Sequence, residues 1–369
     1  MPEYTTIDRA HMARALALAG RGLYTTTPNP RVGCVIAKEG VAIAEGFHAR
    51  PGEPHAEIVA LNQAREQGRD ARGATLYVTL EPCNHYGRTP PCVDAIVSAG
   101  IARVVAAMPD PNPAAAHGAE RLRASGVTVD LGLLASDARE LNIGFVSRMA
   151  RGIPWVRTKI AVTLDGRSAL ANGVSQWITG PEARADGHAW RARACAVLTG
   201  AGTIVQDNPR LTVRDVETTR QPLRVVLDRQ AETPATARVF EGGSVLVVTA
   251  GARNPRWPSN VEALALADGS GRIDLPAMLR SLAGRGINEL HVEAGARLNG
   301  ALLDGGLVDE LLLYVAPSIV GDPARGMFER GAALSSLAAR VPVEWQSIER
   351  IGTDLRVIAR VVRTDSRSR

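Results

Sequence analysis

Two short stretches of this sequence carry side chains suited to metal chemistry. One is His55-Ala56-Glu57. The other is Pro82-Cys83-Asn84-His85-Tyr86-Gly87-Arg88-Thr89-Pro90-Pro91-Cys92. One imidazole and two thiolates form a ligand set that suits zinc among the thiolate-preferring ions. Three protein ligands leave a fourth position for water, which marks a catalytic rather than a structural site, and the metal lowers the pKa of that water. Glu57, two residues past His55, can shuttle the water's proton without binding the metal. A structural site would instead want a fourth ligand, for which His85 is the candidate. Taken singly, these residues also fit a capping histidine and buried thiols. Together they predict one Zn2+ per chain on His55, Cys83 and Cys92, with Glu57 catalytic.

Elements on either side must bring these groups together. Pro54 and the periodic Ile58, Val59, Leu61 and Ala64 predict a helix over 55–67, with His55 and Glu57 on its first turn. A short buried strand over 75–80 precedes Cys83, and a helix over 92–99 starts at the second thiol. Around them the patterns predict a helix over 8–20 and a hairpin of strands 32–37 and 41–46 with Gly40 in the turn. A strand over 104–108, a helix over 119–124, a strand over 127–131 and a helix over 135–151 follow. Gly152-Ile153-Pro154 after a basic last turn is a stop signal, so the domain boundary is placed there, dividing 1–150 from 151–369.

The second part alternates again. Strands are predicted over 156–162, 196–199, 223–228, 244–249, 289–293 and 310–316, with helices over 182–194, 275–283 and 296–304. A hairpin of 343–348 and 355–362 closes it, and 363–369 reads as a frayed tail. Alternating strands and helices predict α/β layers in both domains.

Composition sets the wider limits. With 369 residues the chain exceeds what one core usually serves. Aromatic content is 4%, so the cores must rest on aliphatic side chains. A net charge of +5 permits an anionic partner, but the basic residues, nearly all Arg, are scattered rather than gathered into a tail. No aromatic-rich basic face is present to stack single-stranded nucleic acid. The acidic start lacks an apolar core segment, and no apolar run is long enough to cross a bilayer. A cytoplasmic protein without nucleic-acid or membrane partners is expected.

The H-x-E and P-C motifs are those of zinc deaminases. The eight-residue insert between the cysteines is longer than polynucleotide deaminases have. Together with Thr27-Pro28-Asn29-Pro30-Arg31-Val32-Gly33, Gly46-Phe47-His48, Gly52-Glu53-Pro54 and Thr79-Leu80-Glu81-Pro82, it resembles the pyrimidine deaminase of riboflavin biosynthesis. Beyond the boundary, Lys159-Ile160-Ala161-Val162-Thr163-Leu164-Asp165-Gly166-Arg167 and Ser175-Gln176-Trp177-Ile178-Thr179 resemble the reductase half of the bifunctional riboflavin enzymes. So do Asp207-Asn208-Pro209, Leu211-Thr212-Val213-Arg214 and Val292-Glu293-Ala294-Gly295.

The resemblance implies a cytidine-deaminase-like α/β/α layered sheet followed by a dihydrofolate-reductase-like α/β domain that uses NADPH. It implies a small phosphorylated pyrimidine substrate: hydrolytic deamination of 2,5-diamino-6-(5-phosphoribosylamino)pyrimidin-4-one, then reduction of its ribosyl group to ribityl. Asn29, His48 and His85 would bind substrate in the first step. Ser175, Arg191, Leu211, Arg214 and Glu293 would do so in the second. Ala161, Trp177, Thr203, Asp207, Gly295, Ala296, Arg297, Leu298, Asn299, Gly300 and Ala301 would face NADPH, with Lys159 and Asp207 catalytic. A homo-oligomer is expected.

Physical chemistry supports several of these assignments. Guanidinium groups such as Arg191 and Arg214 match phosphate bidentately. Gly295 opens a helix whose N–H groups could hold a pyrophosphate, whereas a Rossmann fingerprint is absent. Trp177 fits core packing equally, and Lys159 fits a snorkelling edge lysine. Asp165-Gly166 reads as a turn without a catalytic role. Arg297 and Arg253 are candidates for the 2′-phosphate, and Arg229 stands where family members share a serine. The rival readings are a nucleoside or RNA deaminase with an unrelated C-terminal domain, and a ligand-binding protein whose catalytic sites have decayed.

Overall fold

In the computed structural model, which describes residues 3–86, 90–321 and 323–363, the chain divides into two compact units, Met1–Ile153 and Pro154–Arg369. Most of the expected tail beyond Arg363 lies outside the described residues, as do residues 87–89 of the insert.

The first unit is a five-stranded sheet in the order β2-β1-β3-β4-β5. β1 (Gly33–Lys38) pairs antiparallel with β2 (Val41–Phe47) and β3 (Thr75–Val78); β4 (Arg103–Ala106) and β5 (Thr128–Leu131) continue parallel to β3. The hairpin turn falls at Glu39 and Gly40, both at positive φ. Side chains alternate between two faces. Ile36, Leu76, Val78, Val104 and Ala106 pack under α2 (Ala56–Glu66), α3 (Cys92–Ser98) and α4 (Gly118–Ala124). Val35, Tyr77, Val105 and Ala107 pack against α1 (Thr6–Gly20), α5 (Ala135–Leu141) and α6 (Ile143–Arg151). This is the expected α/β/α layering.

The helix expected over 135–151 is instead broken into α5 and α6 at Asn142. The Asn142 side chain turns inward, accepting from the Arg31 N–H at 2.8 Å and donating to the Arg31 carbonyl at 2.9 Å. A residue serving a strand entrance more than a hundred positions away leaves no mark in local periodicity.

The second unit is a nine-stranded sheet in the order β10-β9-β8-β7-β11-β6-β12-β14-β13. β6 (Trp155–Thr163), β7 (Ala196–Gly200), β8 (Leu223–Leu227), β9 (Val245–Thr249), β11 (Glu289–Val292) and β12 (Glu310–Ala316) run parallel. β13 (Val343–Ile351) and β14 (Asp354–Val361) form the antiparallel closing hairpin. β11 inserts between β6 and β7, which are joined through α7 (Pro181–Arg193), so the order switches there. Crevices at such switch points are where open α/β sheets bind ligands. α9 (Leu275–Gly284) and α10 (Ala296–Asp304) have the expected places. Unexpected elements include α8 (Ala201–Asp207), which begins on a Gly-rich stretch, and the edge strand β10 (Val261–Ala265), which pairs parallel with β9.

One polar cluster supports the sheet centre. Arg157, 1% exposed, pairs with Glu289 at 3.0 Å and with Glu310, and lies over the Trp190 ring at 4.4 Å. Arg193 reaches the same Glu289 at 2.7 Å. Each buried carboxylate thereby has a cationic partner, without which its burial would cost several kcal/mol.

Candidate functional sites

In the first unit the metal-type side chains meet at two helix starts. His55 caps α2 in extended conformation, and Cys92 is the first residue of α3. Its backbone N–H donates to the Cys83 sulfur at 3.4 Å, as expected where a helix N-terminus faces an anion. His55 Nδ1 lies 3.3 Å from the Cys92 sulfur and 3.5 Å from that of Cys83. The three ligand atoms lie within 4.8 Å of one another and form the one His, Cys, Asp and Glu group with metal-holding geometry found among the described residues. His85 is not part of it, so the four-ligand structural alternative is not supported. Hydrogen bonding from Cys92, and then from His55, pulls the Cys83 thiol down to about 4. Cys92 is pushed up.

Two close approaches fix this arrangement. A Cβ on Gly46 would lie 2.3 Å from the Ala56 carbonyl, so only glycine lets α2 sit this low on the hairpin. A Cβ on Gly118 would lie 1.8 Å from the Pro82 carbonyl, holding the Cys83 loop against α4.

Glu57 is 3% exposed, and burial followed by the charge of Cys83 pushes its carboxyl up to about 7. His48 is buried with its ring edge-on to His55 at 5.5 Å. Its Nδ1 faces the Pro54 carbonyl at 3.1 Å and its Nε2 faces the Asn29 amide nitrogen at 3.0 Å. The carbonyl can only accept, so the Nδ1–H tautomer is assigned and Asn29 donates to Nε2. His85 lies in the insert with a buried Nδ1 that has no hydrogen-bond partner. Asp110, which local reasoning missed, is pushed up to about 6 by burial and interacts with both Cys83 and His85.

In the second unit a cleft of about 700 Å³ opens at the carboxyl ends of β6, β7 and β11, within the usual size for a cofactor site. Lys159, Ala161, Ser175, Trp177, Arg191, Thr203, Asp207, Leu211, Arg214, Glu293, Gly295 and Ala296 all line it. Arg297, Leu298, Asn299, Gly300 and Ala301 do not. Arg297 points outward toward Glu329, while Asn299 is buried and donates to the Ala294 and Met327 carbonyls at 3.2 Å. Gly300 lies against the Glu329 backbone.

At the cleft floor Arg191 grips Glu293 through two nitrogens and donates to the Thr212 carbonyl at 3.1 Å. Burial opposes ionisation of Glu293, yet Arg191 holds its carboxyl well below the usual range. Lys159 Nζ sits 5.8 Å from the centre of the Tyr314 ring, its pKa lowered by burial while Glu293 opposes the shift. Burial raises Asp207. Trp177 is not core: it is 70% exposed, with the Arg184 guanidinium 4.6 Å from its ring centre.

Among the lining residues that escaped sequence reasoning are His188, Gln206 and Arg325. His188 had a signal, since it lies one helical turn before Arg191 and faces the same way. Arg325 had none, because its loop is brought to the cleft by long-range contacts, a β-bridge to Ala169 and a bond from the Ser168 hydroxyl to the Gly326 carbonyl. Arg253 donates to the Asn254, Trp257 and Pro258 carbonyls and so braces its own loop.

Comparison with known proteins covers both units. Residues 154–357 match the family described as RibD C-terminal domain, and residues 5–108 match the cytidine and deoxycytidylate deaminase zinc-binding region. The riboflavin biosynthesis protein RibD of Escherichia coli is 46% identical over 94% of this chain and 98% of its own length. That of Aquifex aeolicus is 40% identical over 95% and 97%. Among solved structures, RibD of Acinetobacter baumannii superposes with a TM-score of 0.89 at 43% identity, covering 97% of this chain and 99% of its own. The Thermotoga maritima diaminohydroxyphosphoribosylaminopyrimidine deaminase/5-amino-6-(5-phosphoribosylamino)uracil reductase does so with a TM-score of 0.88 at 38% identity, covering 96% and 99%.

Proposed function

Because this chain belongs to the riboflavin biosynthesis family that joins a zinc-dependent deaminase to an NADPH-dependent reductase, we propose that its two sites perform consecutive steps on one phosphorylated pyrimidine. The first removes the amino group of 2,5-diamino-6-(5-phosphoribosylamino)pyrimidin-4-one. The second reduces the ribosyl group of the product to ribityl. The carrying observation is that both sites are intact in one chain, the compact His55, Cys83 and Cys92 trio and the polar cleft around Lys159, Arg191 and Glu293.

The donor sets fit their cofactors. Two thiols and an imidazole at mutual contact distance are a zinc set, and the cleft has the volume for a nicotinamide beside a sugar. Zinc supplies a lowered pKa for bound water, and NADPH supplies hydride. The protein does the rest. Glu57, buried beside the ligand trio, takes one proton from the attacking water to the pyrimidine ring nitrogen, then carries a second, from the new hydroxyl, to the departing amine. Asn29 and His48 present a fixed pair of polar edges beside it, and His85 offers an unused buried nitrogen to the same substrate.

In the cleft, Arg191 and Arg214 take the ribose phosphate, and Ser175, Leu211 and Glu293 border the sugar. Lys159 and Asp207 flank the carbon that accepts hydride. Ala161, Trp177, Thr203, Gly295 and Ala296 shape the nicotinamide place.

The two activities belong to the two compact units and are separable. All four cysteines are buried thiols outside any disulfide, which suits a cytoplasmic enzyme. Self-association is supported by Trp345 and Ile348, 65% and 58% exposed on the edge strand β13. The decisive experiment supplies the diamino substrate and NADPH to the pure protein and follows ammonia and NADPH together. Ammonia release followed by an equal NADPH loss supports the reading. Ammonia from cytidine or RNA, with no NADPH loss, would favour the nucleoside deaminase alternative.

A further inference from the structure

α7 presents His188 and Arg191 one turn apart on one face, and both line the cleft beside Arg214 and Asp215. Arg191 gives three of its five N–H donors to Glu293 and the Thr212 carbonyl, which leaves two for a ligand. His188 makes longer contacts. Its side chain is 8% exposed and lies within reach of Arg214 at both nitrogens: the Arg214 backbone N–H is 3.4 Å from Nδ1, and Arg214 Nη2 is 3.2 Å from Nε2. The carboxylate of Asp215 lies 3.4 Å from Nε2.

A neutral imidazole carries one proton. With the Arg214 N–H donating to Nδ1, that proton sits on Nε2, where the Asp215 carboxylate can accept it and Arg214 Nη2, itself only a donor, cannot. Burial first, and then the charges of Arg191 and Arg214, hold His188 down at about 4, so the ring is a neutral single donor here. Asp215 is a loose acceptor for it, since its own side chain is 57% exposed. Arg214, Arg210 and Arg238 all line the same corner, giving it a cationic character that one carboxylate only partly offsets.

We propose that His188 is part of the phosphate subsite and that Asp215 acts as an internal competitor for it, occupying the anion position until the phosphate of a sugar phosphate displaces it. This rests on the reading that Arg191 and Arg214 receive the ribose phosphate. A phosphate brings more charge and more acceptor oxygens than a carboxylate, so it can take the Nε2–H and the Arg214 guanidinium together. The consequence is selectivity. Neutral sugars and weak anions gain nothing from displacing Asp215, whereas a phosphate monoester does.

The test is calorimetric binding of ribose 5-phosphate and of ribose to the full-length zinc-loaded protein, with thermal melts to confirm folding. Arg214→Gln checks the underlying reading: it should weaken ribose 5-phosphate at least tenfold, and an unchanged affinity would show that the phosphate binds elsewhere. With that established, Asp215→Asn and Asp215→Ala should each tighten ribose 5-phosphate by about fivefold, the scale of one removed like-charge contact, with no change for ribose. His188→Leu should weaken ribose 5-phosphate about tenfold and leave ribose alone, as for one lost hydrogen bond to a charged group. If both Asp215 variants bind ribose 5-phosphate as weakly as the parent or more weakly, while Arg214→Gln shows the expected loss, Asp215 scaffolds the site and the competitor role is overturned.

Discussion

The two sites of this chain are built by opposite means. The zinc-type site draws its ligands from two short motifs, each placed by a neighbouring helix start, and its decisive carboxylate is buried two residues from a ligand. The reductase cleft collects single side chains from β6, α7, α8 and the loop after β11, and its central Arg191–Glu293 contact joins positions about a hundred residues apart. One site is specified by spacing and the other by topology. A compact motif site tolerates distant change but not local change, whereas a topological cleft depends on the whole sheet that gathers it.

Metal removal should break this comparison most sharply. Stripping zinc with a chelator should abolish deamination, while reduction of directly supplied deaminated substrate continues at its normal rate. Ammonia release and NADPH absorbance, with circular dichroism to verify the fold, give the answer. Loss of both activities in a folded protein would mean that the sites are not independent.

Glu57→Gln comes next. It should cost deamination at least ~10²-fold with zinc content near one per chain and reduction untouched, the scale of a lost acid–base group. Metal analysis separates a proton carrier from a ligand, because a variant that loses zinc would place Glu57 in the ligand set.

On the topological side, Glu293→Gln should destabilise the second unit by about 3–5 kcal/mol, because Arg191 is left buried beside a neutral amide. Urea unfolding followed separately for each unit should show the loss in the second alone. An equal loss in the first would indicate that the units fold as one.

These contrasts also explain what could be read without coordinates. His55, Glu57, Cys83 and Cys92 were legible because zinc ligation demands particular residue types at short spacing. Most strands and helices were legible from apolar periodicity. β10 was missed because Val-Glu-Ala-Leu-Ala on a half-exposed edge alternates weakly and suits a helix equally well. Nothing in the sequence marked Arg157, Glu289 and Glu310 as buried. They are buried because three adjacent strands bring them together, which only strand order reveals. Gln206 and Arg325 were invisible for the same reason, whereas His188 shared a helix face with Arg191. Arg297 to Ala301 carried a family resemblance, yet they are not among the residues that line the cleft.

The smallest expected effect concerns how the first unit is fastened rather than what it catalyses. Asp8 caps α1 through Thr5, accepts from the Tyr77 hydroxyl at 2.8 Å, and pairs with Arg103 at 2.7 Å. It therefore ties the first helix to β3 and β4. Although burial opposes ionisation, the Thr5 backbone N–H and then the Arg103 and Tyr77 bonds lower its carboxyl to about 2, from the ordinary 3.8. A carboxyl depressed by folding contributes stability that is present above its unfolded value and lost as pH falls through its folded value. Asp8→Asn should accordingly cost the first unit about 1–2 kcal/mol at pH 7, the scale of hydrogen bonds to a charged group. The gap between variant and parent should begin to close below about pH 4 and be nearly gone at pH 2. Chemical unfolding of the first unit at pH 7, 4 and 2.5 measures it. A gap that stayed constant across that range would assign the loss to capping and packing rather than to the ionised carboxylate, and the second unit, which lacks Asp8, serves as the internal control.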